Sequence, residues 1–189
     1  MAHIQLNNES LPGILGLLDY SPETAKPLTE LAEQLLVKAN SLTRGEREMI
    51  ASSVSYWNDC HFCHSSHGAA AATLLDKPVE FLTEIKKQFP NTDVCPKMRA
   101  LLNIAKHVQK GGKHVTSSDI EAAREAGAED KEIHDTVLIA AAFCMYNRYV
   151  DGLGTWAPKE DADFMPMGQV LAESGYTKTT PEEQAVLQD

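Results

Sequence analysis

The sequence predicts an all-α protein, and three observations support this fold class. Alanine, leucine, glutamate and lysine dominate the chain, and long runs in which β-branched residues alternate with polar ones are missing. Residues 43–46 and 118–121 both have the form of a helix-capping box. Apolar residues also recur at helical spacing, for example at Leu28, Leu31, Leu35 and Leu36.

In the first half of the chain, proline and capping residues indicate where helices begin. Ser21 and Pro22 begin one helix, with the proline in its first turn. The box at Thr43 begins a second helix over 43–57, which Asn58 and Asp59 interrupt. A further helix begins at or near Cys60, and a short one follows residues 76–78.

The same signals predict four helices in the second half. Pro96 begins one that Gly111 ends, and the box at Ser118 begins another that Gly127 ends. A longer helix is expected over 130–149. The chain after residue 154 is polar and rich in glycine and proline, with one short helix near 168–174.

We expect a single domain with four parts. These are an N-terminal arm (1–20), a half with two closely spaced cysteines (21–90), a second helical half (95–155) and a polar C-terminal arm (156–189). A shift of 84 positions places Glu48 on Glu132 and Cys60 on Cys144. This echo favours an internal duplication of a helical-hairpin unit.

Composition narrows the class of protein. The formal net charge of −10 provides no basic stripe for phosphates, so a nucleic-acid partner is not expected. No stretch reaches the ~20 apolar residues that span a bilayer, and residues 1–20 make a poor signal peptide. A cytoplasmic location and no membrane partner are therefore predicted. Cys95 and Cys144 stand alone, and we expect both to be small buried hydrophobic residues.

One short segment has the composition of a thiol redox unit. Cys60 and Cys63 form a C-x-x-C pair, which can cycle between dithiol and disulfide. His67 follows one helical turn after Cys63 on the same face and could take its proton. A carboxylate near His67 would orient the imidazole and favour its charged form. A thiolate formed in this way attacks peroxide oxygen, and the neighbouring thiol then closes a disulfide.

Three alternatives remain open for these cysteines. Zinc could be bound by Cys60, Cys63, His64 and His67, although a structural zinc site usually draws a second pair of ligands from elsewhere in the chain. The two thiols could also be buried core residues. A structural disulfide is disfavoured in a reducing compartment. His61 and His64 are expected to be surface residues.

The combined motif resembles that of the alkylhydroperoxidase D and carboxymuconolactone decarboxylase superfamily. Its elements are Glu48, eleven intervening residues, Cys60-x-x-Cys63, three more residues and His67. The context is similar to the peroxidase-related branch, in segments at 11–14, 41–48, 66–69 and 147–148. The resemblance implies a fold of helical hairpins, assembly as trimers or hexamers, and peroxidase activity.

Carried over by resemblance, Cys63 is peroxidatic, Cys60 is resolving, and Glu48 and His67 form a proton relay. A helix N-terminus alone would instead favour Cys60 as the more acidic thiol. The family's further histidine, immediately before the second cysteine, is replaced by Phe62, and His61 is its possible substitute.

The resulting hypothesis is a thiol peroxidase for organic hydroperoxides or hydrogen peroxide. It needs no metal or other cofactor, and an external dithiol or a disulfide reductase resets it. The alternatives are a carboxymuconolactone decarboxylase-like enzyme, disfavoured because such members generally lack the cysteine pair, and a non-catalytic redox sensor.

Overall fold

The structure is a computed structural model that describes residues 2–91 and 93–185. These ranges contain ten α-helices and no β-strand, which confirms the all-α fold class. The helices are α1 (Gly13–Tyr20), α2 (Pro22–Leu36), α3 (Arg44–Trp57), α4 (His61–Leu75), α5 (Val79–Gln88), α6 (Pro96–Lys110), α7 (Ser117–Glu125), α8 (Asp130–Gly152), α9 (Met165–Ser174) and α10 (Pro181–Gln184). Within the described part of the chain, no helix is both long and apolar enough to cross a membrane.

An antiparallel hairpin of α3 and α4 forms the centre of the fold. The expected capping box begins α3, because the Thr43 hydroxyl accepts from the Glu46 amide at 3.2 Å and Glu46 Oε2 accepts from the Thr43 amide at 2.8 Å. Ala69 to Ala72 make one stretch of α4 narrow, and all four are at most 1% exposed. Other helices can therefore approach α4 closely.

Two further layers cover the hairpin. Helix α8 packs against α3 and α6 on one side, and α9 packs against α4 on the other. The Tyr146 hydroxyl of α8 donates to the Leu28 carbonyl at 2.9 Å and so ties α2 to this layer. The segments expected as arms are part of the core, since α1 and α9 bury Leu15, Leu17, Met167 and Leu171.

The contact between α4 and α9 depends on Gly168. A Cβ atom at this position would lie 2.5 Å from the Cβ and the carbonyl carbon of Ala69. Only a residue without a side chain allows the backbones to come this close. The last part of the chain is thereby brought over the face of α4.

Two local predictions were wrong. The second capping box is formed by Thr116 and Asp119 rather than by residues 118–121, because the Asp119 carboxylate reaches back to the Thr116 amide at 2.8 Å. Cys95 is exposed rather than buried, since it caps α6 and its sulfur accepts from the Met98 amide at 3.4 Å. Cys144 is half-buried, and its sulfur accepts a hydrogen bond from the side-chain amide of Asn58 at 3.5 Å.

The two segments related by the shift of 84 positions differ in secondary structure. Residues 58–60 interrupt the chain between α3 and α4, whereas residues 142–144 lie inside the continuous helix α8. At a shift of 84 positions the second half therefore has no matching turn. The duplication stays a prediction.

Candidate active site

The turn between α3 and α4 places both cysteines at a helix N-terminus. Asp59 has a positive φ of 61°, which ends α3 and reverses the chain. Cys60 is the N-cap of α4 and Cys63 is the third residue of its first turn. The partial positive charge of a helix N-terminus favours negative charge on a nearby sulfur.

Side-chain amides hold this turn in place. Asn58 donates to Oδ1 of Asn147 at 2.8 Å and accepts from Gln109 at 3.0 Å. Asn147, which is 1% exposed, donates in turn to the Ser55 hydroxyl at 3.0 Å. Helices α6 and α8 thereby fix the turn that carries Cys60.

Glu48 and His67 meet inside the protein as the motif suggested. Oε2 of Glu48 lies 2.7 Å from Nδ1 of His67, and the Glu48 side chain is 1% exposed. The carboxylate accepts from the Nδ1 proton, which fixes the tautomer and leaves Nε2 as the basic nitrogen. The ring of Phe143 meets the imidazole edge to face, with ring centres 4.6 Å apart. A carboxylate that orients an imidazole is the usual arrangement behind an activated cysteine nucleophile.

Tyr176 contacts both Glu48 and His67, and the sequence analysis did not predict it. Its hydroxyl donates to Oε1 of Glu48 at 2.6 Å and lies 3.1 Å from Nδ1 of His67. Its ring stacks on the imidazole with centres 5.9 Å apart. Burial and then the Glu48 charge raise the pKa of the Tyr176 hydroxyl well above its ordinary value, so it stays a donor.

The backbone around Tyr176 is fixed by a second buried carboxylate. Oε2 of Glu33 accepts from the Tyr176 amide at 2.9 Å. Gly175 precedes it with a φ of 76°, and a Cβ there would lie 2.6 Å from the same Glu33 oxygen. The signal available in the sequence was only a Gly-Tyr pair after a short helix, which is too common to single out.

An apolar pocket opens onto the cysteine and the histidine. It contains about 590 Å³ of empty space, solvent at its mouth included. Cys63, Ser66 and His67 line it, whereas Cys60 does not. The other walls are mainly aliphatic and aromatic and include Ile14, Leu15, Leu28, Phe143, Met167 and Leu171. A group bound here would therefore contact Cys63 rather than Cys60.

The two sulfurs differ in their surroundings. All four cysteines of the described chain are free thiols, and Cys60 and Cys63 are both buried. A hydrogen bond to Cys63, followed by burial, raises the pKa of Cys60, and the Asp151 carboxylate acts in the same direction. Cys60 therefore keeps its proton and can donate it to the Cys63 sulfur. This favours Cys63 as the nucleophile, against the expectation from helix position alone.

His61 and His64 do not join the Glu48–His67 pair. Nδ1 of His61 lies 3.3 Å from Nε2 of His64, and Nε2 of His61 donates to the Pro158 carbonyl at 2.7 Å. Among the described residues, the cysteines belong to no group of three metal-ligating side chains. The zinc site considered from the sequence is therefore not assembled in these ranges, and both ring nitrogens of His61 contact groups outside the Glu48–His67 pair.

Fold and site together define an all-α protein with a reduced cysteine pair beside a buried carboxylate–histidine pair. The model of the carboxymuconolactone decarboxylase family matches residues 22–74. The alkylhydroperoxidase AhpD core protein of Ralstonia eutropha JMP134, an uncharacterized peroxidase-related protein, is similar in structure. It has a TM-score of 0.74 and 31% identity, over 84% of this chain and 82% of its own.

An uncharacterized peroxidase-related protein from Silicibacter sp. TM1040 is also similar. Its TM-score is 0.73 and its identity 25%, over 82% of this chain and 78% of its own. No curated protein matches the chain. The chain belongs to the AhpD-like carboxymuconolactone decarboxylase superfamily, in its peroxidase-related branch.

Proposed function

We propose that this protein is a thiol peroxidase that reduces organic hydroperoxides with the Cys60–Cys63 pair. The observation that carries the proposal is the pocket: Cys63 and His67 line it together, and Glu48 holds His67 from behind. The aliphatic walls suit a hydroperoxide with an apolar chain. Hydrogen peroxide has no apolar chain, so contact with these walls would contribute little to its binding.

The chemistry follows from the order of the groups. The Cys63 thiolate attacks the terminal oxygen of the hydroperoxide, the O–O bond breaks, and Cys63 becomes a sulfenic acid while the alkoxide leaves. His67, charged after taking the thiol proton and stabilised by Glu48, returns that proton to the alkoxide. The Cys60 thiol then condenses with the sulfenic acid, which forms the disulfide and releases water.

A dithiol donor completes the cycle. One of its thiolates attacks the Cys60–Cys63 disulfide, and its second thiol releases the reduced protein and leaves the donor oxidised. Two electrons thus pass from the donor to the peroxide oxygen in each turnover. Because the family resemblance implies assembly as trimers or hexamers, we expect the active form to be a homo-oligomer.

The decarboxylase alternative fits this pocket less well. A carboxylated lactone would need a cationic partner, and among the described residues that line the pocket only His67 can carry a positive charge, which Glu48 already pairs. A redox sensor without turnover would use the same thiols but would not consume peroxide continuously.

The test is steady-state consumption of cumene hydroperoxide with dithiothreitol as the donor. We expect turnover by the wild type and loss of turnover in Cys63→Ser. Cys95→Ser, which removes an exposed thiol far from the motif in sequence, is the matched control and should retain the wild-type rate. Equal rates in Cys63→Ser and wild type would refute the proposal.

A further inference from the structure

We propose that His61, His64 and Asp161 form a binding site for one divalent transition-metal ion, with Zn²⁺ as the best fit. The three side chains lie outside the thiol pocket, and none of them takes part in the proposed peroxidase chemistry. Two imidazoles and a carboxylate are donors that zinc commonly accepts.

The spacing of the donor atoms suits one ion. One ligand atom from each of the three residues lies within 4.8 Å of the others. Nδ1 of His61 and Nε2 of His64 are 3.3 Å apart. Two nitrogens bound to a tetrahedral zinc at ~2.0–2.1 Å are themselves about 3.3–3.4 Å apart. The imidazoles therefore already stand at the separation that such an ion requires.

Neighbouring groups orient two of the ligands from behind. Nε2 of His61 donates to the Pro158 carbonyl at 2.7 Å, so Nδ1 is the unprotonated nitrogen, the one that can bind an ion. The Ser65 hydroxyl donates to Oδ1 of Asp161 at 2.5 Å. Such outer contacts fix the tautomer and direction of a metal ligand.

The rings are also held by packing. His61 meets Phe164 edge to face at 5.7 Å between ring centres, and His64 meets Tyr56 at the same separation. Because these contacts restrict both imidazoles, little rotamer freedom is lost when an ion binds.

An ion can reach the three ligands from solvent. His61, His64 and Asp161 are all partly exposed and line an open groove. The groove also carries the carboxylates of Glu80, Glu84 and Glu160 and the amines of Lys86, Lys87 and Lys159. A water molecule or one of these carboxylates would complete a four-coordinate site.

Lys86 places a positive charge beside the proposed ion site, so a variant that lacks this charge tests the proposal. This lysine is 6% exposed, and its Nζ donates to Nδ1 of His64 at 3.1 Å. In the metal-free protein, the Nε2–H group of His64 donates a hydrogen bond to Nδ1 of His61. A proton therefore occupies the position at which the ion would bind. A buried positive charge beside the ligands weakens binding of a second cation. Lys86→Gln removes that charge and offers an amide oxygen to Nδ1–H, so we expect tighter binding.

The test is titration of the reduced wild-type protein with Co²⁺ alone, followed by competition with Zn²⁺. We expect one ion per chain, with the visible absorption of tetrahedral Co²⁺ and without a sulfur-to-cobalt charge-transfer band. His64→Gln and Asp161→Asn should each weaken the affinity at least tenfold, and Lys86→Gln should strengthen it several-fold. His114→Gln, which changes a histidine outside the cluster, is the matched control.

A strong sulfur-to-cobalt band at one equivalent would overturn the proposal, because the ion would then lie on the cysteines. An affinity that responds to neither His64→Gln nor Lys86→Gln would also overturn it. Two variants with opposite expected effects guard against misfolding of either one. Either failure would leave Cys63-dependent turnover to be judged separately.

Discussion

The hydroxyl of Tyr176 donates a 2.6 Å hydrogen bond to Oε1 of Glu48, although 128 positions separate the two residues. Glu48 thus has one oxygen on His67 and the other on Tyr176. A carboxylate buried at this depth needs such donors, because a buried polar group without a hydrogen-bond partner is costly. The C-terminal segment therefore supplies part of the candidate active site.

Removal of the Tyr176 hydroxyl should slow turnover without weakening peroxide binding. Tyr176→Phe keeps the ring on His67 but deletes a hydrogen bond to a charged group, worth ~1.5–3 kcal/mol. We expect kcat to fall about tenfold with KM for the hydroperoxide little changed.

Steady-state kinetics check this prediction. Tyr20→Phe is the matched control, because Tyr20 is 46% exposed and is not part of the pocket. A kcat in Tyr176→Phe equal to that of Tyr20→Phe would show that the hydroxyl is only structural.

Neutralising Glu48 should have a larger effect on the rate. Glu48→Gln keeps the size of the side chain but cannot stabilise the His67 imidazolium, and acid–base assistance is worth roughly 10²-fold or more. The measurement is kcat with dithiol in excess, together with circular dichroism to verify the fold. Glu30→Gln, at an exposed carboxylate of α2, should leave both unchanged. Full activity in Glu48→Gln would remove the relay from the mechanism.

Cys60 should keep its proton well into the alkaline range. Its pKa is raised in the folded protein, first by the bond to Cys63, above the ordinary value of 9.0. The folded state therefore binds more protons than the unfolded state above about pH 9. By linkage, the contribution of Cys60 to stability is complete below that pH and declines as the pH rises further.

Thiol titration by alkylation and mass spectrometry tests this raised pKa. In the wild type we expect Cys60 to be alkylated only at strongly alkaline pH. In Cys63→Ala the hydrogen-bond partner that is the largest cause of the shift is gone, so the pKa of Cys60 should fall. An unchanged Cys60 titration in that variant would contradict the assigned hydrogen bond.

The close contact between α4 and α9 should make Gly168 intolerant of a side chain. In Gly168→Ala the new methyl group meets the Ala69 backbone, and overpacking of this kind costs about 1–3 kcal/mol. For a chain of this length, we expect a lower Tm by about 2–4 °C per kcal/mol. Gly152→Ala is the matched control, because its Cβ has no atom within 4 Å. Equal Tm values for the two variants would show that α9 can shift without cost.

Local signals in the sequence predicted most helix boundaries. The start of α3 depends on residues three apart, and Pro22 and Pro96 fix the starts of α2 and α6 through their own backbone geometry. The start of α7 was misplaced because Thr116, Ser117 and Ser118 are all competent caps. Only the position of the Asp119 carboxylate decides between them.

The candidate site could be predicted only in part, because some of its contacts join residues on different elements. Cys60, Cys63 and His67 share one helical face, so their proximity follows from spacing. Glu48 depended on how α3 packs on α4. Tyr176 lies 109 positions after His67, and no spacing rule reaches it. The contact of His61 with the Pro158 carbonyl brings an irregular segment to α4, and no spacing rule predicts it.

The most direct test of the central claim is the mass of the intact protein after one equivalent of cumene hydroperoxide, without any reductant. If Cys63 attacks the peroxide and Cys60 resolves it, the wild type loses two hydrogens as the disulfide forms. Cys60→Ser should instead gain one oxygen at Cys63, and Cys63→Ser should remain unmodified. An unchanged wild-type mass, or an oxygen gained at Cys60 in the Cys63→Ser variant, would contradict the account.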